Sequence, residues 1–306
     1  MQNLLYEVVE RNRPFSGHGQ VATYIPALAK ASPSDVGICA VDMNGIAYGA
    51  GEYEKKFTIQ SVSKAITLML SIMDNGSEHV FSRVGVEPTG DPFNSIIKLE
   101  TTKPHRPHNP MINAGAIAVA SMIKGENQNH KLERLLNFVR KLTNNNDIDI
   151  DEEVYISERE TGNKNRALAY YMKNEGIIDG NVEETIDLYF KQCSILVTCR
   201  DLANIAAVLA SKGVSPINGE RIIPENITTI VKTLMLTCGM YDDSGNFALR
   251  VGLPAKSGVG GGIIAIVPNN MGIATFGPSL DSKGNSIVGM MMLEELSRNL
   301  ELNIFQ

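Results

Sequence analysis

Apolar positions recur along this chain with two different periods, and the period changes twice. Between residues 2 and 12, Leu4, Leu5, Val8 and Val9 repeat at helical spacing, which predicts a helix with one buried stripe. Val36–Asp42 and Ile46–Ala50 are β-rich runs around Met43-Asn44-Gly45, where Asn-Gly supplies the positive φ of a tight hairpin turn. From about 62 to 235 the helical period takes over, in segments 64–74, 112–124, 131–142, 164–174, 184–193, 199–212 and 225–236. Several of these open with Ser, Thr or Asn or close on Gly. After about 245, strand-like runs return at Phe247–Val251, Gly262–Val267 and Met271–Phe276, spaced by Pro268-Asn269-Asn270 and Gly277-Pro278; 286–301 reads as a final amphipathic helix. Strands at both ends with helices between predict an α/β (α+β) fold: one mixed sheet in which the chain ends meet, flanking helices, and an inserted helical lobe. The expected division is a sheet lobe of about 1–61 and 245–306 and a helical lobe of about 62–244, together a single domain over 1–306. The run Asn144–Glu153 reads as a polar, solvated loop, and no repeat or low-complexity segment stands out.

Composition narrows what such a fold can do. A chain of 306 residues with 43% hydrophobic content can bury one large core or two lobes sharing an interface. Lys and Arg number 28 against 34 Asp and Glu, a net charge of -6, and no basic cluster interleaves with aromatics, so nucleic acid is not an expected partner. Glu7 and Glu10 interrupt the first apolar residues and no basic stretch precedes them, so no secretory signal is expected, and no apolar run approaches the roughly 18 residues that span a bilayer. The cysteines Cys39, Cys193, Cys199 and Cys238 lack CxxC spacing and read as reduced structural thiols, consistent with the cytoplasm.

Two segments carry candidate chemistry. Ser61-Val62-Ser63-Lys64 is an S-x-x-K pair placed where the hairpin region gives way to a helix. Three residues apart on a helix, Ser61 and Lys64 share a face, and a Ser at a helix N-terminus gains from the dipole when its oxygen becomes anionic. Ser121-Met122-Ile123-Lys124 has the same spacing but lies inside an apolar helical run with no terminus beside it, and reads as core and surface. The second segment is Lys256-Ser257-Gly258-Val259-Gly260-Gly261-Gly262, leading into a strand. A Gly-rich entry lets backbone N–H groups approach a substrate. The competing phosphate-loop reading needs a following helix and a spacing that are not met. His105-Arg-Pro-His108 suggests a metal pair, but Pro107 breaks any helix and no third ligand is near, so a loop bordering the site is the preferred reading.

S-x-x-K early and K-S-G late match the serine β-lactamase and penicillin-binding-protein arrangement, although the third element, S-x-N, is represented only by Ser244-Gly245-Asn246 in a turn ahead of the late strands. Further blocks narrow the match: Tyr24–Leu28, Gln60–Lys64, Pro107–Ile117, Ser157–Asn165, Tyr189–Ser194, Cys238–Asp242 and Gly252–Val259. In that order they resemble the serine-dependent glutaminase family from about residue 20 to 290. The resemblance implies a β-lactamase-like fold, hydrolysis of L-glutamine through a seryl ester, no cofactor, and a homo-oligomer, dimer or tetramer. Ending at Gln306, the chain resembles the short bacterial-type form without regulatory extensions.

The same resemblance implies roles. Ser61 is the nucleophile and Lys64 its base; Tyr241 relays a proton to the departing ammonia; the N–H groups of Ser61 and Val259 form the oxyanion hole. Lys256 supports Lys64, since burial and a like charge both favour a neutral amine. Glu158 faces the substrate ammonium, Asn113, Asn165 and Tyr189 hydrogen-bond the amino-acid end, and Tyr24 closes the pocket. Glu158 and Asn165 share a face if their helix runs through Gly162. Two other classes stay open: a penicillin-interacting acyltransferase or esterase, opposed by the missing S-x-N, and a non-catalytic glutamine-binding module, opposed by the retention of both Ser61 and Lys64.

Overall fold

A computed structural model describes residues 1–101 and 103–306. The predicted hairpin forms from β1 (Gly37–Asp42) and β2 (Ala47–Gly51), with Gly45 at φ +77° in the turn. A short pair follows, β3 (Phe57–Thr58) against β4 (Leu196–Val197), and the late strands are β5 (Ala255–Ser257), β6 (Gly262–Val267) and β7 (Met271–Phe276). The main sheet runs β2-β1-β7-β6-β5, so strands from both chain ends do meet, with Cys39 opposite Ala274. Its pairings are all antiparallel, and the sheet is therefore not mixed in direction. Short hairpin links join β1 to β2 and β5 through β7, and a two- to four-residue link can only reverse the chain.

Both faces of this sheet are covered, which explains why β6 reads as an unbroken apolar run. Ile38, Ala40, Ile263, Ala265 and Ile273 point toward the helices Gln2–Asn12 and Ile287–Asn299. Cys39, Val41, Ile264, Ile266 and Ala274 point into the larger core, where the helix Cys199–Ala210 lies on the sheet. Small residues set that spacing: a Cβ on Gly272 would stand 2.1 Å from the Ala207 nitrogen. The four cysteines are buried and free. Among the described residues no helix is long and apolar enough to cross a membrane.

Local readings differ in four places. Phe247–Val251 is not a strand: Ser244–Arg250 is a helix, with Phe247 and Val251 buried one turn apart and Leu249 between them 81% exposed. Alternation would have put all three on one face. Ser244-Gly245-Asn246 is consequently the first turn of that helix rather than a turn before strands. Ala255–Ser257, read only as a Gly-rich entry, is the edge strand β5. The polar run after Asn144 ends in a helix, Glu152–Thr161, begun by the Asp151 side chain accepting from the Val154 N–H. The helix expected over 112–124 stops at Ser121.

Candidate active site

Ser61 sits in a one-turn 3-10 segment, Gln60–Val62, that runs directly into the helix Ser63–Asn75. The turn is strained: buried Gln60 has φ +48°, a conformation costing a non-glycine residue on the order of 1–3 kcal/mol. The strain turns Ser61 toward the helix start, where unpaired N–H groups favour negative charge. Gly258 of the segment after β5 packs on this turn, a Cβ there lying 2.8 Å from the Ile59 carbonyl oxygen and 3.4 Å from the Ser61 nitrogen. The early and late candidate segments therefore meet backbone to backbone. Only glycine permits that approach.

Lys64, one turn on, is 1% exposed. Its Nζ donates to Asn113 Oδ1 at 2.7 Å and to the Met111 carbonyl at 3.3 Å, and lies 5.8 Å from the centre of the Phe93 ring. Burial lowers its pKa to about 8, with the nearby acidic groups of Cys193 and Glu158 opposing that shift. Lys256 is fully buried on β5, donating to the carbonyls of Gly239 (3.0 Å) and Ser257 (2.6 Å). Burial, then repulsion from Lys64, drives the Lys256 pKa well below the ordinary lysine value. The like-charge effect thus falls on Lys256, and burial is what depresses Lys64.

Tyr241 lies across from Ser61 in a second left-handed position, φ +56°. Its ring packs tilted against Phe93, centroids 4.8 Å apart, and Lys256 Nζ sits 4.4 Å from its centre. Burial holds the phenol protonated, while the Ser61 hydroxyl and the Val259 N–H pull the other way. Val259 itself is buried in the bend between β5 and β6.

A pocket of about 90 Å³ opens from Ser61 and is lined by Tyr24, Gln60, Phe93, Asn113, Glu158 and Asn165, with Tyr189 and Cys193 behind. At about 10–15 Å³ per water centre, this is room for a molecule the size of a free amino acid. Glu158 is 6% exposed; burial raises its pKa to about 7 against the opposing effects of the Gln60 side chain and Lys64. Asn113 Nδ2 donates to Asn165 Oδ1 at 2.9 Å, tying the two asparagines together beside Lys64. Tyr189 is buried, its ionisation suppressed by burial and the neighbouring Cys193 and Glu158. Tyr24 is 56% exposed as a residue, but its hydroxyl turns inward, where burial and then Tyr241 and Glu158 keep it protonated.

Of the residues expected at the site, Tyr24, Ser61, Asn113, Glu158, Asn165 and Tyr189 line this pocket. Lys64, Lys256, Tyr241 and Val259 do not: Lys64 reaches it through Asn113, Tyr241 through Phe93, Lys256 lies against the Tyr241 ring, and Val259 lines neighbouring grooves. Gly162 does break the helix: Glu152–Thr161 ends there, Asn163–Asn174 begins, and a Cβ would meet Phe190 at 2.2 Å. Glu158 and Asn165 reach one pocket from two helices. Gln60, Phe93, Lys164 and Cys193 also line the pocket, and the i+4 step from Tyr189 to Cys193 is the signal the sequence offers for the last of them. His105 and His108 do not border the pocket; His108 lines separate surface grooves with Pro107, and His105 Nδ1 pairs with the Leu99 carbonyl. Among the described residues no three His, Cys, Asp or Glu side chains gather to hold a metal.

Residues 19–305 match the Glutaminase family. Over 305 residues the chain is 58% identical to Glutaminase 2 of Clostridium perfringens, with all of both chains covered. The chain belongs to the glutaminase family. The crystal structure of a probable glutaminase from Bacillus subtilis matches it with TM-score 0.93 at 44% identity, covering 99% of this chain and 97% of that one. A covalent complex of a Bacillus subtilis glutaminase with 5-oxo-L-norleucine, formed by reaction with 6-diazo-5-oxo-L-norleucine, matches with TM-score 0.89 at 41% identity and 99% coverage of each chain. The fold is accordingly the β-lactamase-like fold of the glutaminases, an enzyme family.

Proposed function

We propose that this enzyme hydrolyses L-glutamine to L-glutamate and ammonia through a seryl ester on Ser61, the whole chain acting as one catalytic domain. The observation that carries the reading is a buried Ser-Lys pair at one end of an amino-acid-sized pocket and a buried carboxyl, Glu158, lining the same pocket. Lys64, with a pKa of about 8, is neutral in roughly a tenth of molecules at pH 7, enough to accept the Ser61 proton as Oγ attacks the side-chain amide carbon. The N–H groups of Ser61 and Val259 receive the oxyanion. Collapse of the tetrahedral adduct breaks the C–N bond, and the proton held by Lys64 passes through Tyr241 to the departing ammonia. Water then adds to the ester, one of its protons passing to Ser61 Oγ as glutamate is released.

Glu158 supports the choice of a free amino acid. A carboxyl whose pKa has risen to about 7 for want of solvent regains its charge when a cation is brought to it, and the α-ammonium of glutamine supplies one. Asn113, Asn165 and Tyr189 offer hydrogen bonds to the amino-acid end, and Tyr24 covers it. We place the reaction in the cytoplasm, supported by four free buried thiols, and in a homo-oligomer, dimer or tetramer, supported by exposed Leu249, Ile304 and Phe305. The reading needs no cofactor. The test is ammonia release from glutamine, run beside nitrocefin hydrolysis, with mass spectrometry after 6-diazo-5-oxo-L-norleucine. Ammonia, no nitrocefin turnover and an adduct on the Ser61 peptide are expected; an adduct elsewhere would overturn the nucleophile.

A further inference from the structure

Next to the nucleophile turn, with Ser63 against the pocket-lining Cys193, runs a line of polar side chains with no access to water. Ser63 is 1% exposed, and Thr67 and Gln192 are 0% exposed. Ser63 Oγ donates to the Gln60 carbonyl at 2.7 Å. That bond uses the single hydroxyl hydrogen, so Ser63 Oγ can only accept from Gln192 Nε2, 3.4 Å away. Thr67 Oγ1 lies 3.0 Å from both the Gln192 amide oxygen and the Ser63 carbonyl, and its one hydrogen can be given to only one of them at a time. The line thus joins the helix Val182–Cys193, which carries Tyr189, to the helix Ser63–Asn75, and ends on one atom of the turn.

That atom belongs to the most constrained residue of the site. Of the described non-glycine residues with φ in the left-handed region, Gln60 alone is buried. On its other side Gly258 and Gly260 press against it, Cβ atoms there falling 3.4 Å from Gln60 Cβ and 3.3 Å from Gln60 Cγ. Its side-chain amide donates to Thr58 Oγ1 at 3.3 Å and helps hold Glu158 charged. The peptide between Gln60 and Ser61 contains both the carbonyl that Ser63 grips and the Ser61 N–H. Rotating that peptide moves the two groups together.

We infer that Gln192, acting through Ser63, is a positioning residue for the reaction: it fixes the Gln60-Ser61 peptide so that the Ser61 N–H meets the oxyanion. The hydrophobic alternative would serve packing equally well, since a buried polar line is no more stabilising than apolar side chains of the same shape. What it adds is direction. The inference rests on the reading of Ser61 as nucleophile.

Ser63→Ala, Gln192→Leu and the double variant, with Ser61→Ala as reference, are compared with wild type by thermal unfolding and by kcat and KM for glutamine. The two single variants are expected to stay folded and to lose about 10- to 100-fold in kcat with KM changed less than about threefold, as for a misplaced transition-state contact. Because both act on one line, the double variant should be no worse than the poorer single. A folded Ser63→Ala or Gln192→Leu with kcat within about twofold of wild type, a loss that falls on KM, or losses that multiply in the double variant would each overturn the inference. Ser63→Ala removes one oxygen atom and decides the matter if Gln192→Leu does not fold. An active Ser61→Ala would instead remove the nucleophile reading; an inert Ser61→Ala beside a normal Ser63→Ala removes only the role of Gln192.

Discussion

Ser61/Lys64 and Ser121/Lys124 have the same spacing in the same chain, and almost everything else about them differs. Ser61 precedes a helix, at the end where N–H groups are free; Ser121 is the last residue of one, at the end where carbonyls are. The Ser121 hydroxyl is spent on the Ala118 carbonyl at 2.7 Å. Lys64 is sealed in the core, whereas Lys124 is exposed beyond its helix, its backbone N–H on Asp74 and its carbonyl accepting from Arg134. Burial lowers the pKa of the first lysine to about 8. What makes a Ser-Lys pair chemically competent is therefore the helix end it occupies and the water it excludes. The spacing is only a precondition.

The sharpest way to break this contrast is to exchange the two serines for alanine. Ser61→Ala should lower kcat by about 10⁴-fold or more while unfolding at a similar temperature, because the covalent step has no other nucleophile. Ser121→Ala should stay within about twofold, and the reverse result would mean the wrong copy was chosen. Next in size is the base. Lys64→Arg should lose nearly as much as Lys64→Ala, about 10³-fold, since a guanidinium cannot give up its proton, whereas Lys124→Arg should be silent. With Lys64 as the proposed base the neutral amine is the active form, so kcat/KM should rise with pH through about 8. A pH-independent profile, or normal rates in Lys64→Arg, would reduce Lys64 to a positioning charge and move the proton to Tyr241.

Glu158 sharpens the comparison, because the acid beside the first copy is buried and lines a pocket, whereas Asp74 beside the second is paired with Arg134. Glu158→Gln should cost glutamine about 2–5 kcal/mol of binding, the usual result of truncating one member of a desolvated charge pair. N-acetylglutamine carries no ammonium, so the kcat/KM ratio of the two compounds should fall toward one in the variant, provided the acetyl group fits; an unchanged ratio would take Glu158 out of the substrate site. The smallest effect is on stability. The folded-state pKa of Glu158 lies above its unfolded value, so its favourable contribution is complete below about 4.5 and is lost as pH rises through about 7. Relative to wild type, Glu158→Gln should therefore gain on the order of 1–3 kcal/mol between pH 5 and pH 8 in free enzyme, measured by denaturant unfolding. A gain of opposite sign would mean that Glu158 is ion-paired in the free enzyme.

Much of this was legible in the sequence because the site residues come in local blocks and the long helices keep their period. Helix Cys199–Ala210 and the hairpin at Gly45 follow from spacing and turn chemistry alone. The failures have physical causes. Phe247 and Val251 are four apart, a distance that serves a helix turn and a strand face equally, and only the exposure of Leu249 separates the two. β5 has three residues behind Pro254, too few to show a period. Gln60, Phe93 and Cys193 reach the pocket through packing between distant segments, and Ser63 and Gln192 look like ordinary polar residues until burial is known.

The place of β7 in the sheet has a consequence for how the molecule comes into being. Lying between β1 and β6, it is central in space and last among the strands in order of synthesis. Until it emerges from the ribosome, the early hairpin has an open edge, and until the Gly258–Gly260 segment just ahead of it emerges, the Ser61 turn lacks the backbone that packs on it. Pairings of such long sequence separation are slow to form, so the nascent chain spends most of its translation as an unfinished and aggregation-exposed intermediate. A ribosome stalled before residue 255 would hold a chain with Ser61 made and the strands that pack around it still missing.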